Sequence, residues 1–312
     1  MIRIFFTNND GQLEERTEIC NGCWVHLVSP TENEILRVAE HLQLPLNFLK
    51  DPLDEEERSR IEKEDQIVLI IVNIPVYLTD DQDSPIFDTL PLGMIITPET
   101  FITVSLKDHP IFHEFMENRI KQFFTFKKTR FSLQILYQIA THYLRYLKLI
   151  YKRTNEIERE LHQSMKNQEL YTLLNLEKSL VYFATSLKSN NIVMQKMMRN
   201  GLLKMYEDDQ DLLEDVIIEN QQAIEMAETH SAVLSGMMDA FASVISNNLN
   251  IVMKFLASFT IILSLPTMVA SFYGMNVPIP FQTYPFSFWI AILISAFLST
   301  ATAVIFWKRR FF

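Results

Sequence analysis

From Phe255 to Trp307 the sequence contains no Asp, Glu, Lys, Arg or His. Two stretches inside it, about Phe255 to Tyr273 and Phe286 to Trp307, approach or exceed the roughly 20 residues that cross a bilayer as helix. A globular core of that length is normally interrupted by charged solvent-facing positions. Two transmembrane helices are therefore expected, joined by "GMNVPIPFQTYP", a turn too short to be a domain. Lys254 precedes the first span, Lys308, Arg309 and Arg310 follow the second, and the turn carries no charge. The basic residues place both termini in the cytoplasm. Trp289, Trp307, Tyr273 and Tyr284 fall near the expected membrane interfaces.

Those four basic residues are the only charges from Ala240 onward, so a net charge of −10 for the chain leaves −14 on Met1 to Asp239. A surface this acidic does not neutralise phosphates, which excludes a nucleic-acid binder. It fits a partner of positive charge, a metal ion included. Cys20 and Cys23 are the only cysteines, so no disulfide framework holds the fold and a reducing compartment is expected. The start, "MIRIFFTNNDGQLEERTE", turns acidic too soon for a secretory signal. The amino terminus is expected to stay inside the cell.

The acidic part changes character along its length. "IRIFF", "CWVHLV", "QIVLIIVNIPVY", "LGMIIT" and "FITVSL" read as strands, and Thr31 to Leu42 as a helix capped by Thr31 with Glu34 three residues on. After Asp108 helices take over: about His109 to Gln122, Ser132 to Gln163, and Gln168 to Asn200, the last stopped at Asn200-Gly201. The organisation expected is an α/β cytoplasmic domain over 1–131, antiparallel helices over 132–206, a stalk helix running into the first span over 207–273, an outer loop over 274–285, and the second span with its basic tail over 286–312. The fold class is thus a mixed α/β domain with a helical bundle, a long stalk helix and two C-terminal transmembrane helices. Leu213, Val216, Asn220, Ala223, Ala227, His230, Leu234, Met237, Phe241, Val244, Asn248 and Val252 hold three-to-four spacing. The helix they define is on the order of 100 Å long at 1.5 Å per residue. His230 on this stripe reads as an interface or core histidine. Pro266 kinks the helix without ending it, provided a neighbouring helix satisfies the carbonyl it frees.

Along the first span one row reads Asn250, Ala257, Ser264, Ser271, and the row beside it Met253, Thr260, Thr267, Gly274. Small and hydroxylated residues either let helices pack closely in lipid or line a water-filled path. Packing is the commoner cause. Asn250 at the inner end and Asn276 at the outer turn favour a path, and two spans per chain enclose one only if several copies surround an axis.

No catalytic chemistry is visible. There is no Gly-rich phosphate loop in a chain with six Gly, no GxSxG and no HExxH, so neither an enzyme nor an organic cofactor is implied. "CNGCWVH" has metal-like spacing at Cys20, Cys23 and His26, but structural zinc takes four ligands and no second cluster follows. The two cysteines read as ordinary residues of a turn and a strand. "DPLDEEER" from Asp51 and "EDDQDLLED" from Glu207 read as a solvated surface or as weak divalent-cation binding.

At "YGMN", Tyr273 to Asn276, after one span and before a last span with a basic tail, the chain resembles the CorA family of magnesium transporters. "GCWVHLVSPTENEI", "LPLNFLKDPLDEEERSRIE" and "SVISNNLNIVMKFL" are similar to that family too, so the resemblance covers essentially the whole chain. It implies a homopentamer in the cell membrane, with the stalk helix lining the pore and the second span facing lipid. Asn276 would form an outer ring that holds a hydrated ion, Gly274 and Met275 would shape its turn, and Asn250 and Met253 would be inner pore residues below Ala257, Thr260, Ser264, Thr267 and Ser271. Asp215 and Asp239, with Asp211 and Glu219, fall where the family senses cytoplasmic Mg²⁺. Mg²⁺ is then both the transported ion and the gating ligand. Relatives of this architecture move Co²⁺ or Ni²⁺ or export Zn²⁺, and a non-conducting metal sensor or scaffold is the alternative of another class. Gly274 supplies a backbone that a helix end requires, Pro278 keeps helix from resuming, and the turn lacks the acidic residue common in family loops.

Overall fold

The computed structural model describes residues 1–8, 11–79, 85–163, 167–199, 201–281 and 285–309. The expectations for Asn200, Tyr284 and Arg310 lie outside these residues. The chain divides into two units, Met1–Ser235 and Gly236–Phe312.

The first unit opens with β1 Ile2–Thr7, β2 Leu13–Arg16 and β3 Trp24–Val28. Two helices follow, α1 Glu32–Leu42 and α2 Leu46–Lys50, then β4 Arg60–Glu64, β5 Ile67–Thr79, β6 Pro85–Ile96, β7 Phe101–Ser105 and α3 Pro110–Met116. The seven strands form one sheet in the order β2-β1-β3-β7-β6-β5-β4. Among the described strand pairs only β3 to β7 is parallel, with Trp24 opposite Phe101 and Leu27 opposite Val104.

Alternation along β3 sets the layers. Cys23, Val25 and Leu27 join Ile35, Val38, Phe48 and Leu49 from α1 and α2 in one buried cluster. Trp24 and His26 point the other way, where Trp24 meets Phe5 at 4.9 Å and Phe131 at 5.1 Å, and His26 meets Phe112 at 4.4 Å between ring centroids. The α1 start is the expected capping box: Glu34 N donates to Thr31 Oγ1, and Thr31 N donates to Glu34 Oε2 at 2.8 Å. Gly93 of β6 is required by close packing, because a Cβ there would lie 2.3 Å from Pro52 Cγ.

Two long helices complete the unit with the first part of a third: α4 Lys128–Gln163, α5 Asn167–Arg199 and α6 Glu207–Tyr273. Opposite β4, β5 finds its last partner at Ile71. Two residues on, Asn190 of α5 takes the place of a strand, accepting from Asn73 N at 2.9 Å and donating to Asn73 O at 2.8 Å. Tyr143 of α4 donates to the same carbonyl at 3.0 Å.

Three expectations are corrected. β2 (LEER) and β4 (RIEKE) are strands at the two ends of the sheet, unexpected because charge on an edge hides the apolar alternation that marks a strand. β6 starts at Pro85, ahead of the "LGMIIT" run. The helix expected over His109 to Gln122 stops at Met116, and Asn118 and Gln122 then take left-handed backbone at φ 55°. α5 ends before Gly201, whose φ is +55°.

The second unit holds the rest of α6 and α7 Ser287–Lys308. Both are long and apolar enough to cross a membrane. Between positions 242 and 273 only Ser258, Ile262, Leu265, Pro266, Val269 and Tyr273 are not exposed. Their spacing of four, three, one, three and four is a single helix face, and α7 packs on it. Pro266 stays inside α6. Having no N–H, it leaves the Ile262 carbonyl without its helical partner, and Ser299 of α7 donates to that carbonyl at 3.3 Å. The neighbouring helix thus supplies the bond the proline removes.

Candidate ion pathway and outer turn

At 100° per residue, Asn250, Ala257, Ser264 and Ser271 together with Met253, Thr260, Thr267 and Gly274 centre about 180° around α6 from the face that α7 covers. All eight are exposed. The rows expected along a path therefore occupy the side of the helix that its partner helix leaves open. Thr260 donates its hydroxyl to Leu256 O at 2.8 Å, Ser264 to Ile261 O at 2.9 Å and Thr267 to Leu263 O at 3.3 Å. With their protons spent inside the helix, these hydroxyls keep only lone pairs to offer outward. Such a row accepts from water or faces a cation.

The helix ends with Gly274 N donating to Ala270 O at 2.9 Å and Met275 N to Phe272 O at 3.2 Å. Here another expectation is corrected. Gly274 is not in the left-handed region, which is taken instead by Phe281 at φ 68°. A Cβ on Gly274 would sit 3.4 Å from Ala270 O and 3.6 Å from Ser271 O. The helix end does not demand glycine, so what Gly274 contributes is the absence of a side chain beside Met275 and Asn276. Met275 and Asn276 are exposed.

Of the carboxylates, Asp211, Asp215 and Glu219 stand four residues apart in one row of α6, the first two exposed and the third half-buried, and Asp239 is exposed in the second unit. Among the described residues none of the four pairs with a cation. Asp209, in the same acidic run, is different. It is buried, lies 3.3 Å from Arg130 Nη1 and accepts from Tyr206 N at 3.2 Å. In the "DPLDEEER" run Arg60 contacts Asp51 at 2.6 Å and Glu57, and beyond the run it reaches Glu62 at 2.9 Å, while Asp54, Glu55 and Glu56 are exposed. Among the described residues no three His, Cys, Asp or Glu are grouped to hold a metal. Cys23 and His26 cannot share one, since they leave β3 on opposite faces. His230 stacks on Tyr151 at 4.9 Å, and burial lowers its pKa.

Sequence reading passed over Ser299. The signal was present: Pro266 frees the carbonyl at position 262, and an antiparallel α7 has few hydroxyls that can reach that level.

A soluble α/β unit, a 67-residue helix that ends in an apolar span, a short turn and a second apolar span together define a two-span membrane protein. Residues 21–310 match the family model described as CorA-like Mg²⁺ transporter protein, and the chain belongs to that family. It is 27% identical over 276 residues to the cobalt/magnesium transport protein CorA of Methanocaldococcus jannaschii, covering 87% of this chain and 85% of that one. It is 22% identical to the magnesium transport protein CorA of Helicobacter pylori, covering 99% of both. In structure it matches the complete CorA magnesium transporter of M. jannaschii with a TM-score of 0.83 at 24% identity, over 98% of this chain and 97% of that one. The full-length CmaX protein gives 0.72 at 16% identity, over 99% and 96%, a likeness of fold alone.

Proposed function

We propose that this chain carries divalent cations across the cell membrane, with Mg²⁺ uptake as its activity, through a homopentamer whose first spans surround the pore. The observation that carries the reading is the face of α6 opposite α7, open along its length and lined by amide, hydroxyl and small side chains from Asn250 to Gly274. In a ring of copies that face turns to the axis, while α7 faces lipid. Asn276 then contributes one amide to an outer ring. Mg²⁺ releases its waters reluctantly, so a ring of neutral amide oxygens holds the hydrated ion without trapping it. Fixed intramembrane carboxylates are not needed. The membrane potential drives entry with about 2.3 kcal/mol per charge per 100 mV, so roughly twice that for a divalent ion.

Both termini are cytoplasmic in this reading. Cytoplasmic Mg²⁺ bound between subunits by Asp215, with Asp211, Glu219 and Asp239 as further carboxylates, holds the stalks closed, and its loss releases them.

The test is flux into proteoliposomes holding the purified protein, with Mg²⁺, Co²⁺, Ni²⁺ and Zn²⁺ compared. Mg²⁺ entry that Asn276→Ala abolishes, with the oligomer intact, is the expected result. Flux of another ion alone reassigns the cargo, and no flux from an intact oligomer replaces the transporter with a metal sensor.

A further inference from the structure

The first unit holds the chain's two cysteines at the ends of one tight turn. Cys23 N donates to Cys20 O at 3.2 Å, closing a β-turn over Asn21 and Gly22, and Gly22 takes the left-handed φ of +81° that its third position requires. Cys20 N also donates to Cys23 Sγ at 3.4 Å, so the buried thiol already lies against the backbone of the exposed one. Such a turn keeps its end Cα atoms within about 7 Å, the range that a disulfide spans. The turn is anchored from both sides: Gly22 N donates to Glu99 O at 2.7 Å, and Phe101 N donates to Cys23 O at 3.1 Å.

The two thiols differ in access. Cys20 is exposed and open to a dissolved oxidant, while Cys23 is fully buried at the edge of the α1 and α2 cluster. Burial pushes the Cys23 thiol up to about 11, and the neighbouring Cys20 thiol adds to the rise. Cys23 on its own is therefore inert, and reaction has to begin at Cys20.

We propose that Cys20 and Cys23 form a reversible thiol–disulfide couple that closes within one chain. In the first step the Cys20 thiolate attacks a low-molecular-weight disulfide such as oxidised glutathione. A bond forms from Cys20 Sγ to one glutathione sulfur, and the other glutathione leaves as thiolate. Cys23 then gives up its proton and attacks Cys20 Sγ, expelling the second glutathione. The chain loses two electrons and two protons, and one disulfide is reduced to two thiols. With the turn already closed and anchored, the second step requires only side-chain rotation at the turn's ends.

The full-length protein in detergent, reduced and then equilibrated with oxidised glutathione, is denatured, alkylated and weighed. The expected product is a monomer lighter by two hydrogen atoms, without glutathione or alkyl groups, and dithiothreitol restores two alkylated thiols per chain. Because there are only two cysteines, that mass identifies the bond. Cys23→Ala is expected to trap glutathione on Cys20, and Cys20→Ala to leave Cys23 unmodified until denaturation. A wild-type chain that keeps both thiols, that stops at a stable glutathione adduct, or that links to a second chain overturns the proposal, and this measurement does not depend on either variant folding.

Discussion

Three histidines, His26, His109 and His142, are buried in the interior of the first unit. His26 shares the Thr103 hydroxyl with Trp24 Nε1, each at 2.8 Å. His109 Nε2 lies 2.7 Å from Pro75 O. His142 approaches Glu114 only at 3.5 Å. Burial pushes His26 down to about 3 and His109 down to about 4, and lowers His142 as well, against the opposing pull of Asp108 on the first two and Glu114 on the third. All three are neutral in the fold and take protons near 6.5 once it opens. Their contribution is whole above that pH and is lost as pH falls from about 6.5 toward their lowered values. Each adds up to about 1.4 kcal/mol per pH unit to the slope. Denaturant unfolding of the full-length protein at pH 7, 6 and 5 measures it. His142→Gln is expected to flatten the slope, and an unchanged slope removes His142 from the account.

At the scale of elements, legibility followed the hydrophobic pattern. The runs in β3, β5 and β7 were readable because they are buried strands, and α1 because Thr31 and Glu34 mark its start. β2 and β4 were not, since their Leu13–Arg16 and Arg60–Glu64 sequences are mostly charged and lie at the ends of the sheet. The length of α3 was overestimated because Phe123 continues an apolar spacing whose backbone has already left the helix at Asn118. In the candidate pathway the two rows of α6 were legible from spacing alone. That α7 covers the opposite face was not, because a span that is apolar all round does not announce which side it packs. Ser299→Ala tests that pairing. Losing its bond to Ile262 O is expected to cost about 0.6 kcal/mol and at most about 1.7 kcal/mol, the range for such bonds in membranes. Detergent-titrated unfolding measures it, with Ser295→Ala as a comparison, since among the described residues Ser295 bonds its own helix at Ala291 O.

For the whole molecule, the proposed pentamer makes gating a property of the boundary between copies. Among the described residues Asp211, Asp215 and Glu219 lie without cationic partners along one row, whereas Asp209 and Asp51 are satisfied within the chain by Arg130 and Arg60. Sequence density of acid could not separate these two groups, since the arginines that neutralise one of them are distant in sequence or on another element. Asp215→Ala is expected to leave the channel open at millimolar internal Mg²⁺, several-fold above wild type in the same liposomes. Asp209→Ala is expected instead to lower thermal stability by about 1–3 kcal/mol, as stranding a partly buried charge does. Gating unchanged in Asp215→Ala assigns the ion to other carboxylates.

The proline at position 266 also has a mechanical meaning. A continuous α-helix resists torsion because every rung is a backbone hydrogen bond, but at this level one rung has been handed to a hydroxyl of another helix, at 3.3 Å. Compliance in the rod is concentrated there. In the proposed channel, a twist delivered along α6 from its Glu207 end is expected to be taken up near the Ile262 level, so that the outer turn after Gly274 keeps its shape while the shaft below it turns.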